Sequence, residues 1–547
     1  MRLAFISRFA LLQACVLSVS LVAVSLVANT AYALEPDAPR ELITPEEALV
    51  ISLRQKLDTV SQKLDKLARE ERQALAQFYT TGTSRPVWVT RDGLTDQARQ
   101  ALAEIRNANK WGLNVEDFRL PQNEDFLSGE LSNRELVEVE LKISTAIVRY
   151  ARYARGGRFD PNRLSNDIDR KPPLIPPSTV LDTVLTSDDP AAVLRGFHPQ
   201  HEQFKRLRAA YLNALDQENR PQQSEPLEAQ EDRKAKKRKS RRKRRAKKRN
   251  RTKLSQRLLY NMEMWRWMPV DLGRRYVWVN IPEYKFRIFN DGEIIHQERI
   301  VTGKAKNKTP IFSDQMETVV LHPNWGVPNS IKVKELLPKL IRGNDVFSRQ
   351  GLRVQQDGRD IDPFSVDWRT TDIRNYHIYQ PPSSRNALGI VKFLFPNKHA
   401  VYMHDTPSKH LFKRNVRAYS HGCVRVRNPL KFAALLLGKD KGWSREKIDG
   451  LIKHGPKNNQ IPLTTKVPVH ITYFTAHIDD DGKAIFYRDI YGHEGRIKMG
   501  LAGQAHLIVK PKKNLGSDLN RITARTERPR RSRRRSALWM LKLWGRE

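Results

Sequence analysis

The most constraining feature of this chain is a change of hydrophobic period across a stretch that cannot fold. Residues 216–232 are polar and acidic, and Arg233 to Lys253 reads RKAKKRKSRRKRRAKKRNRTK. Like charges at i,i+4 oppose a helix, and the stretch has little to bury. Residues 216–253 therefore read as a disordered linker of about 40 residues, averaging roughly 35 Å end to end. Before it, apolar residues recur at helical spacing; after it they alternate. The expected fold class is α+β: a mostly helical N-terminal domain, then a mainly antiparallel β domain with a capping insert. A chain of 547 residues is too long for one core, which agrees.

The helical part opens at Thr44-Pro45-Glu46-Glu47, with Thr at the N-cap, Pro at the first helical position and Glu at the third. Val50, Leu53, Leu57, Val60, Leu64 and Leu67 then form a heptad-like seam. The spacing predicts an amphipathic helix over 44–70, packed on its own domain or paired in a short coiled coil. Helical signals continue through a domain at 71–215. They break at Thr81-Gly82-Thr83, at Gly156-Gly157 and at 171–177, with a short extended piece between Phe78 and Leu94.

The β part, a domain over 254–478, shows strands at Tyr276–Ile281 and Tyr284–Phe289, closed by the hairpin signal Asn290-Asp291-Gly292. Further strands are expected at Glu317–Leu321, Ile390–Phe395, Ala400–His404, Val467–Phe474 and Ala484–Tyr487. The acidic run Asp479-Asp480-Asp481-Gly482 has hairpin spacing rather than that of a calcium loop. Ser330–Arg342 reads as a helix that Pro338 should end or kink. With the loop-rich stretch behind it, 330–388 reads as a lid or substrate-binding insert. Pro429–Leu437 reads as a helix. A C-terminal extension spans 479–520. The basic tail 521–547, with Trp539, Leu541, Leu543 and Trp544, is either unordered or lies on a membrane surface.

Location decides what the charge means. Arg2 and Arg8 precede an apolar run from Phe9 to about Ala28, and Ala31-Tyr32-Ala33 is a small-x-small site. Residues 1–33 read as an export signal, cleaved or kept as an anchor, and either reading puts the rest of the chain outside the cytoplasm. The formal net charge of +38 attracts polyanions. Export argues against nucleic acid and favours anionic lipid or wall polymer, met through 233–253 and 521–547. Of the two cysteines, Cys15 lies in the signal, so the mature chain keeps only Cys423 and forms no internal disulfide.

A lone thiol is either inert or chemically used. A free thiol has a pKa of about 8.5, so only a few per cent is ionised at neutral pH, and a base must assist it. His421 sits two residues away, and His404 ends the expected strand Ala400–His404. If the segment carrying Cys423 pairs beside that strand, His404 lies across from the thiol, and it is the favoured base. Gly422 permits a sharp turn. The N–H groups of Gly422 and Cys423 are candidate oxyanion donors. Ser420 either holds a histidine ring or closes the turn. Zinc would need more ligands than His410 adds. The opposing reading is a buried cysteine beside structural histidines.

His404 followed by Ser420-His421-Gly422-Cys423-Val424-Arg425-Val426 resembles the signature of the L,D-transpeptidases, the YkuD-type catalytic domain. Met264-Trp265-Arg266-Trp267-Met268-Pro269, Pro323-Asn324-Trp325-Gly326-Val327-Pro328, Asn386-Ala387-Leu388-Gly389 and Tyr402-Met403-His404-Asp405-Thr406-Pro407 resemble the large periplasmic subgroup, and the helical domain resembles its scaffold. The resemblance implies that Cys423 attacks the diaminopimelate carbonyl of a peptidoglycan stem tetrapeptide, with His404 moving the proton. A second stem's amine then makes a 3→3 cross-link in cell-wall biogenesis. Water, a D-amino acid or a protein–wall link are the alternative acceptors and products. Tyr402 and Trp325 would line the cleft, with Ser420, His421, Gly422 and Arg425 in support and no metal or cofactor. Two departures stand out. Asp405 follows the histidine where many relatives have a small residue whose carbonyl orients the ring. The linker also occupies the place of a peptidoglycan-binding module, and its basic run is assigned that anchoring role. A non-catalytic envelope scaffold is the reading from another class; the intact His404 and Cys423 set argues against it.

Overall fold

The structure is a computed structural model that describes residues 44–58, 66–82, 85–121, 132–220 and 253–510. The export signal, Val60 and Leu64 of the seam, residues 221–252 of the linker, 511–520 of the extension and the basic tail lie outside the described residues. Contacts divide the chain after Ala48. The described part of the first unit, 44–48, is a capped helix start. Thr44 N–H donates to Glu47 Oε2 at 2.8 Å, and Glu47 N–H to Thr44 Oγ1 at 3.2 Å. This begins helix α1 (Pro45–Asp58).

In the second unit come α2 (Lys66–Gln77), the hairpin β1 (Val89–Thr90) and β2 (Gly93–Leu94), α3 (Asp96–Arg106), α4 (Asn133–Gly156), α5 (Pro177–Leu185), α6 (Pro190–Gly196) and α7 (Glu202–Asn219). Leu49, Leu53 and Leu57 are buried in one core with Trp88, Leu102 and Ile147. The seam thus packs on its own domain, with Leu49 rather than the half-buried Val50 facing in. The extended piece between helices is held by one buried carboxylate. Glu140 on α4 accepts from the N–H groups of Val87, Trp88 and Val89 at 2.8, 2.9 and 3.1 Å, and from the Tyr79 hydroxyl. Burial pushes the Glu140 carboxyl up to about 7.

Helix α8 (Leu254–Arg266) leads into β3 (Arg275–Asn280), β4 (Lys285–Asn290), β5 (Glu293–Gly303) and β6 (Phe312–Leu321). After the insert follow β11 (Val391–Leu394), β12 (Met403–His404), β13 (Ala418–Ser420), β14 (Val424–Val426), β15 (Asn459–Thr472), β16 (Ala476–Ile478) and β17 (Ala484–Phe486). The main sheet runs β13-β5-β14-β12-β11-β6-β15-β3-β4, and β4 also pairs with β5, so it closes into a barrel. It is mainly antiparallel, but β3–β15, β12–β14 and β5–β13 are parallel. Period two predicts strands and cannot predict their direction.

The insert is more ordered than its sequence suggests. Strands β7 (Trp325–Gly326), β8 (Arg353–Gln356), β9 (Arg359–Ile361) and β10 (His377–Gln380) form a separate sheet in the order β7-β10-β8-β9. Its own core includes Val333, Leu336, Phe347, Val354, Trp368 and Ile378. The helix expected at Ser330–Arg342 is helical from Asn329 to Leu340, but widens to a π-turn over Lys332–Leu336 before Pro338. That slip accommodates the missing proline N–H.

The scaffold and the barrel share backbone pairing. Ile168 bridges Ile311 in parallel. Arg170, buried, donates to Ser313 Oγ at 2.6 Å and to the Ile471 carbonyl at 2.7 Å. No helix among the described residues is long and apolar enough to cross a membrane.

Candidate active site

The barrel brings His404 and Cys423 together through one parallel pairing. Met403 lies opposite Val424 and His404 opposite Arg425, and Val424 N–H donates to the Tyr402 carbonyl at 3.1 Å. On the other side of β12, His404 lies opposite Lys392. Alternation therefore puts Tyr402, His404, Cys423, Arg425 and Lys392 on one face. The intervening Val391, Phe393, Met403, Val424 and Val426 are fully buried on the opposite face, where Phe393 packs on Phe432, ring centroids 4.2 Å apart. Burial of one face fixes the register that exposes the other.

Asp405 has two jobs. Its backbone carbonyl takes His404 Nδ1 at 2.5 Å. A carbonyl only accepts, so Nδ1 carries the proton and Nε2 is left with its lone pair. The Asp405 carboxylate is turned away, taking Ile390 N–H on Oδ2 at 3.1 Å and Lys409 Nζ on Oδ1. A Cβ at Gly389 would collide with that carboxylate, and Gly389 has φ +61°. Gly389 and the Ile390 N–H thus form the seat of the Asp405 carboxylate. The acidic side chain does not disturb the orienting contact, because that contact is made by the main chain.

Electrostatically the pair rests uncharged. Burial, then Arg425, depress His404 to about 3, against the pull of the Asp405 carbonyl. Burial pushes the Cys423 thiol up, and Tyr402, Lys392 and Arg425 oppose it. Both groups thus lean to their neutral forms rather than to a preformed ion pair, and the Cys423 thiol faces the Ala400 carbonyl at 3.9 Å.

The other expected residues fall into four groups. Ser420 closes the turn: its Oγ accepts Gly422 N–H at 3.1 Å and donates to the Cys423 carbonyl at 2.6 Å. Gly422 N–H is therefore engaged, and Cys423 N–H is the remaining oxyanion donor of the two. His421 is exposed and turns to the insert, where its Nε2 meets Glu335 Oε1 at 2.5 Å. The Trp325 side chain, on the insert's β7, lies near enough to Tyr402 to stabilise its phenolate form, which brings the insert to the edge of the site. Arg425 is half-buried, with its Nε unpartnered among the described residues. Lys392 was not singled out in the sequence. Its Nζ sits 4.3 Å from the Tyr402 ring centroid, and burial lowers its pKa while Cys423 raises it. The available signal was a single cation inside the apolar strand Ile390–Phe395. No group of side chains among the described residues could hold a metal ion.

The depressed His404 predicts acid sensitivity. An unfolded histidine titrates near 6.5, so between about 3 and 6.5 the unfolded state binds more protons and stability rises with pH. The contribution is complete above pH 6.5 and is lost as pH falls toward 3, at about 1.4 kcal/mol per unit. His201 and His470, each about 4, and His493, about 3, act in the same direction; Glu140 acts in the opposite one. A His404→Gln variant should therefore lose roughly 2 kcal/mol less than wild type between pH 6.5 and 5. Urea midpoints at the two pH values measure this, and equal losses would refute it.

Comparison with known proteins gives concordant matches. Residues 73–210 match the scaffold-domain family model, and residues 274–469 match the L,D-transpeptidase catalytic-domain model, YkuD. A Haemophilus influenzae protein named as an inferred L,D-transpeptidase is 31% identical over 249 residues, covering 45% of this chain and 50% of that one. The chain thus spans half the length of the curated relative it matches. A solved L,D-transpeptidase from Mycobacterium smegmatis is 12% identical, covering 36% of this chain and 58% of that one, with a TM-score of 0.16. Another, solved with imipenem, is 12% identical, covering 36% and 59%, with a TM-score of 0.17. At such scores the likeness says nothing of the fold.

Proposed function

From a chain that carries an L,D-transpeptidase catalytic domain behind a scaffold domain, we propose an enzyme that forms 3→3 peptidoglycan cross-links through a Cys423 thioacyl intermediate. The observation that carries the reading is the shared face of His404 and Cys423, with Nδ1 tied to the Asp405 carbonyl. Cys423 Sγ attacks the diaminopimelate carbonyl of a stem tetrapeptide while His404 Nε2 takes the thiol proton. The developing oxyanion meets Cys423 N–H. As the tetrahedral species collapses, the C–N bond breaks and His404 returns the proton to the leaving D-alanine amine. The amine of a second stem then attacks the thioester, His404 takes its proton, and Cys423 leaves as the thiol. Lys392 and Arg425 supply positive potential beside the sulfur as charge builds on it. The proposed location is the periplasm, resting on the export signal read in 1–33. The basic segments 233–253 and 521–547 are proposed to adhere to an anionic envelope surface.

The test compares muropeptides from cells expressing wild type and Cys423→Ala. The expected result is 3→3 dimers only with wild type. Trimmed stems in their place would identify water as the acceptor. Absence of both would refute the enzyme reading. A carbapenem adduct on Cys423, seen by mass spectrometry, is the expected companion result.

A further inference from the structure

The turn bearing Cys423 is held from behind by residues that do not reach the reacting atoms. The loop after β5 folds back so closely over Gly303 that a Cβ there would collide with the Asn307 carbonyl. This lets Gly303 N–H donate to Thr309 Oγ1 at 2.9 Å. The Thr309 hydroxyl, buried, in turn donates to the Gly422 carbonyl at 2.7 Å. Tyr491, from the C-terminal extension, braces the same loop. Its hydroxyl accepts Thr309 N–H at 3.1 Å and donates to the Gly303 carbonyl at 2.6 Å. The scaffold holds the far end. Ile311 N–H donates to the Asp167 carbonyl at 2.7 Å, and Asp169 N–H to the Ile311 carbonyl at 2.9 Å.

The Gly422 carbonyl shares a peptide plane with Cys423 N–H. In a trans peptide the two point in opposite directions. Gly422 has φ +128°, a region open to glycine, so an untethered plane could rotate there. Ser420 already fixes the neighbouring planes through Gly422 N–H and the Cys423 carbonyl. The plane between them is fixed by Thr309.

We propose that Thr309 is a positioning residue that aims Cys423 N–H at the developing oxyanion, and that Tyr491 and scaffold residues 167–169 hold Thr309 in register. The proposal rests on the acyl-enzyme reading of Cys423. It gives the scaffold domain and the C-terminal extension a part in the chemistry without contact with substrate.

Two reactions of one thiol test it in the full-length protein. Carbapenem acylation opens the lactam through a tetrahedral oxyanion. Alkylation by iodoacetamide displaces iodide at a saturated carbon and forms no oxyanion. In Thr309→Val, acylation should slow about tenfold or more, while alkylation stays near the wild-type rate. Thr309→Ser, which keeps the hydroxyl, should restore acylation. Tyr491→Phe should slow acylation selectively by a smaller factor, and it carries the comparison if Thr309→Val does not fold. Wild-type acylation rates in both variants, or equal slowing of both reactions, would overturn the proposal. A wild-type protein that is alkylated at Cys423 but never acylated would instead refute the acyl-enzyme reading on which it rests.

Discussion

Replacing His404 by glutamine should slow acylation of Cys423 by about 10²–10⁴ and change the shape of its pH profile. The resting pair is neutral on both sides: burial holds His404 near 3 and pushes the Cys423 thiol up. Between those limits a general base of constant charge meets a thiol of constant charge. Wild-type acylation should therefore be nearly flat from pH 6 to 8. Without the imidazole, the proton must leave to solvent before attack. The variant's rate should then rise with pH in proportion to the thiolate fraction, about tenfold per unit. Glutamine can still donate to the Asp405 carbonyl, so the strand should remain in place. Stopped-flow acylation across that pH range checks both features. A flat profile in the variant would show that another group removes the proton. His421 is poorly placed to be that group, because its ring is committed to Glu335.

What the sequence reveals about this site, and what it hides, follows from which atoms do the work. Cys423 and His404 are legible because side-chain chemistry is written in residue identity. Their meeting was anticipated from a strand ending at His404, although β12 is only Met403–His404. Ala400 has φ +52° and cannot be strand; Asn397 holds that turn through the Phe395 and Val401 carbonyls. The orienting group is not legible, because Asp405 invites a side-chain role, whereas its main-chain carbonyl does the work. Backbone contacts are nearly invisible in sequence. The same holds for Gly422 N–H, spent on Ser420, and for the Gly422 carbonyl, spent on Thr309. The insert read as loop because its strands are short and its sheet is built mostly from residues outside any apolar run. The helical scaffold was legible, since amphipathic periodicity survives without knowledge of the partners.

Truncating Arg266 to leucine should cost about 3–5 kcal/mol of stability. Arg266 and Glu263 are both completely enclosed, with Nη1 3.0 Å from Glu263 Oε2. The second guanidinium nitrogen donates to the Trp111 carbonyl at 2.6 Å, and the other Glu263 oxygen accepts Arg158 N–H at 2.7 Å. The pair therefore links α8 to two points of the scaffold. Next to it, Trp265 stacks on His201 at 4.4 Å and on Phe474 at 4.8 Å, joining α7 to the barrel. Leucine would fill most of the volume but leave Glu263 Oε2 desolvated and without its paired cation. That loss is larger than the net worth of the pair itself. A Glu263→Gln, Arg266→Leu double variant should recover part of the stability, because the stranded charge is gone. Urea unfolding at pH 7 checks the ordering. A loss below about 1 kcal/mol for Arg266→Leu would mean that water reaches Glu263. The position matters beyond stability. The same scaffold carries Asp167 and Asp169, which grip the loop behind the Cys423 turn. Loosening the weld at Arg266 should therefore slow acylation more than alkylation, even at temperatures where the barrel remains folded.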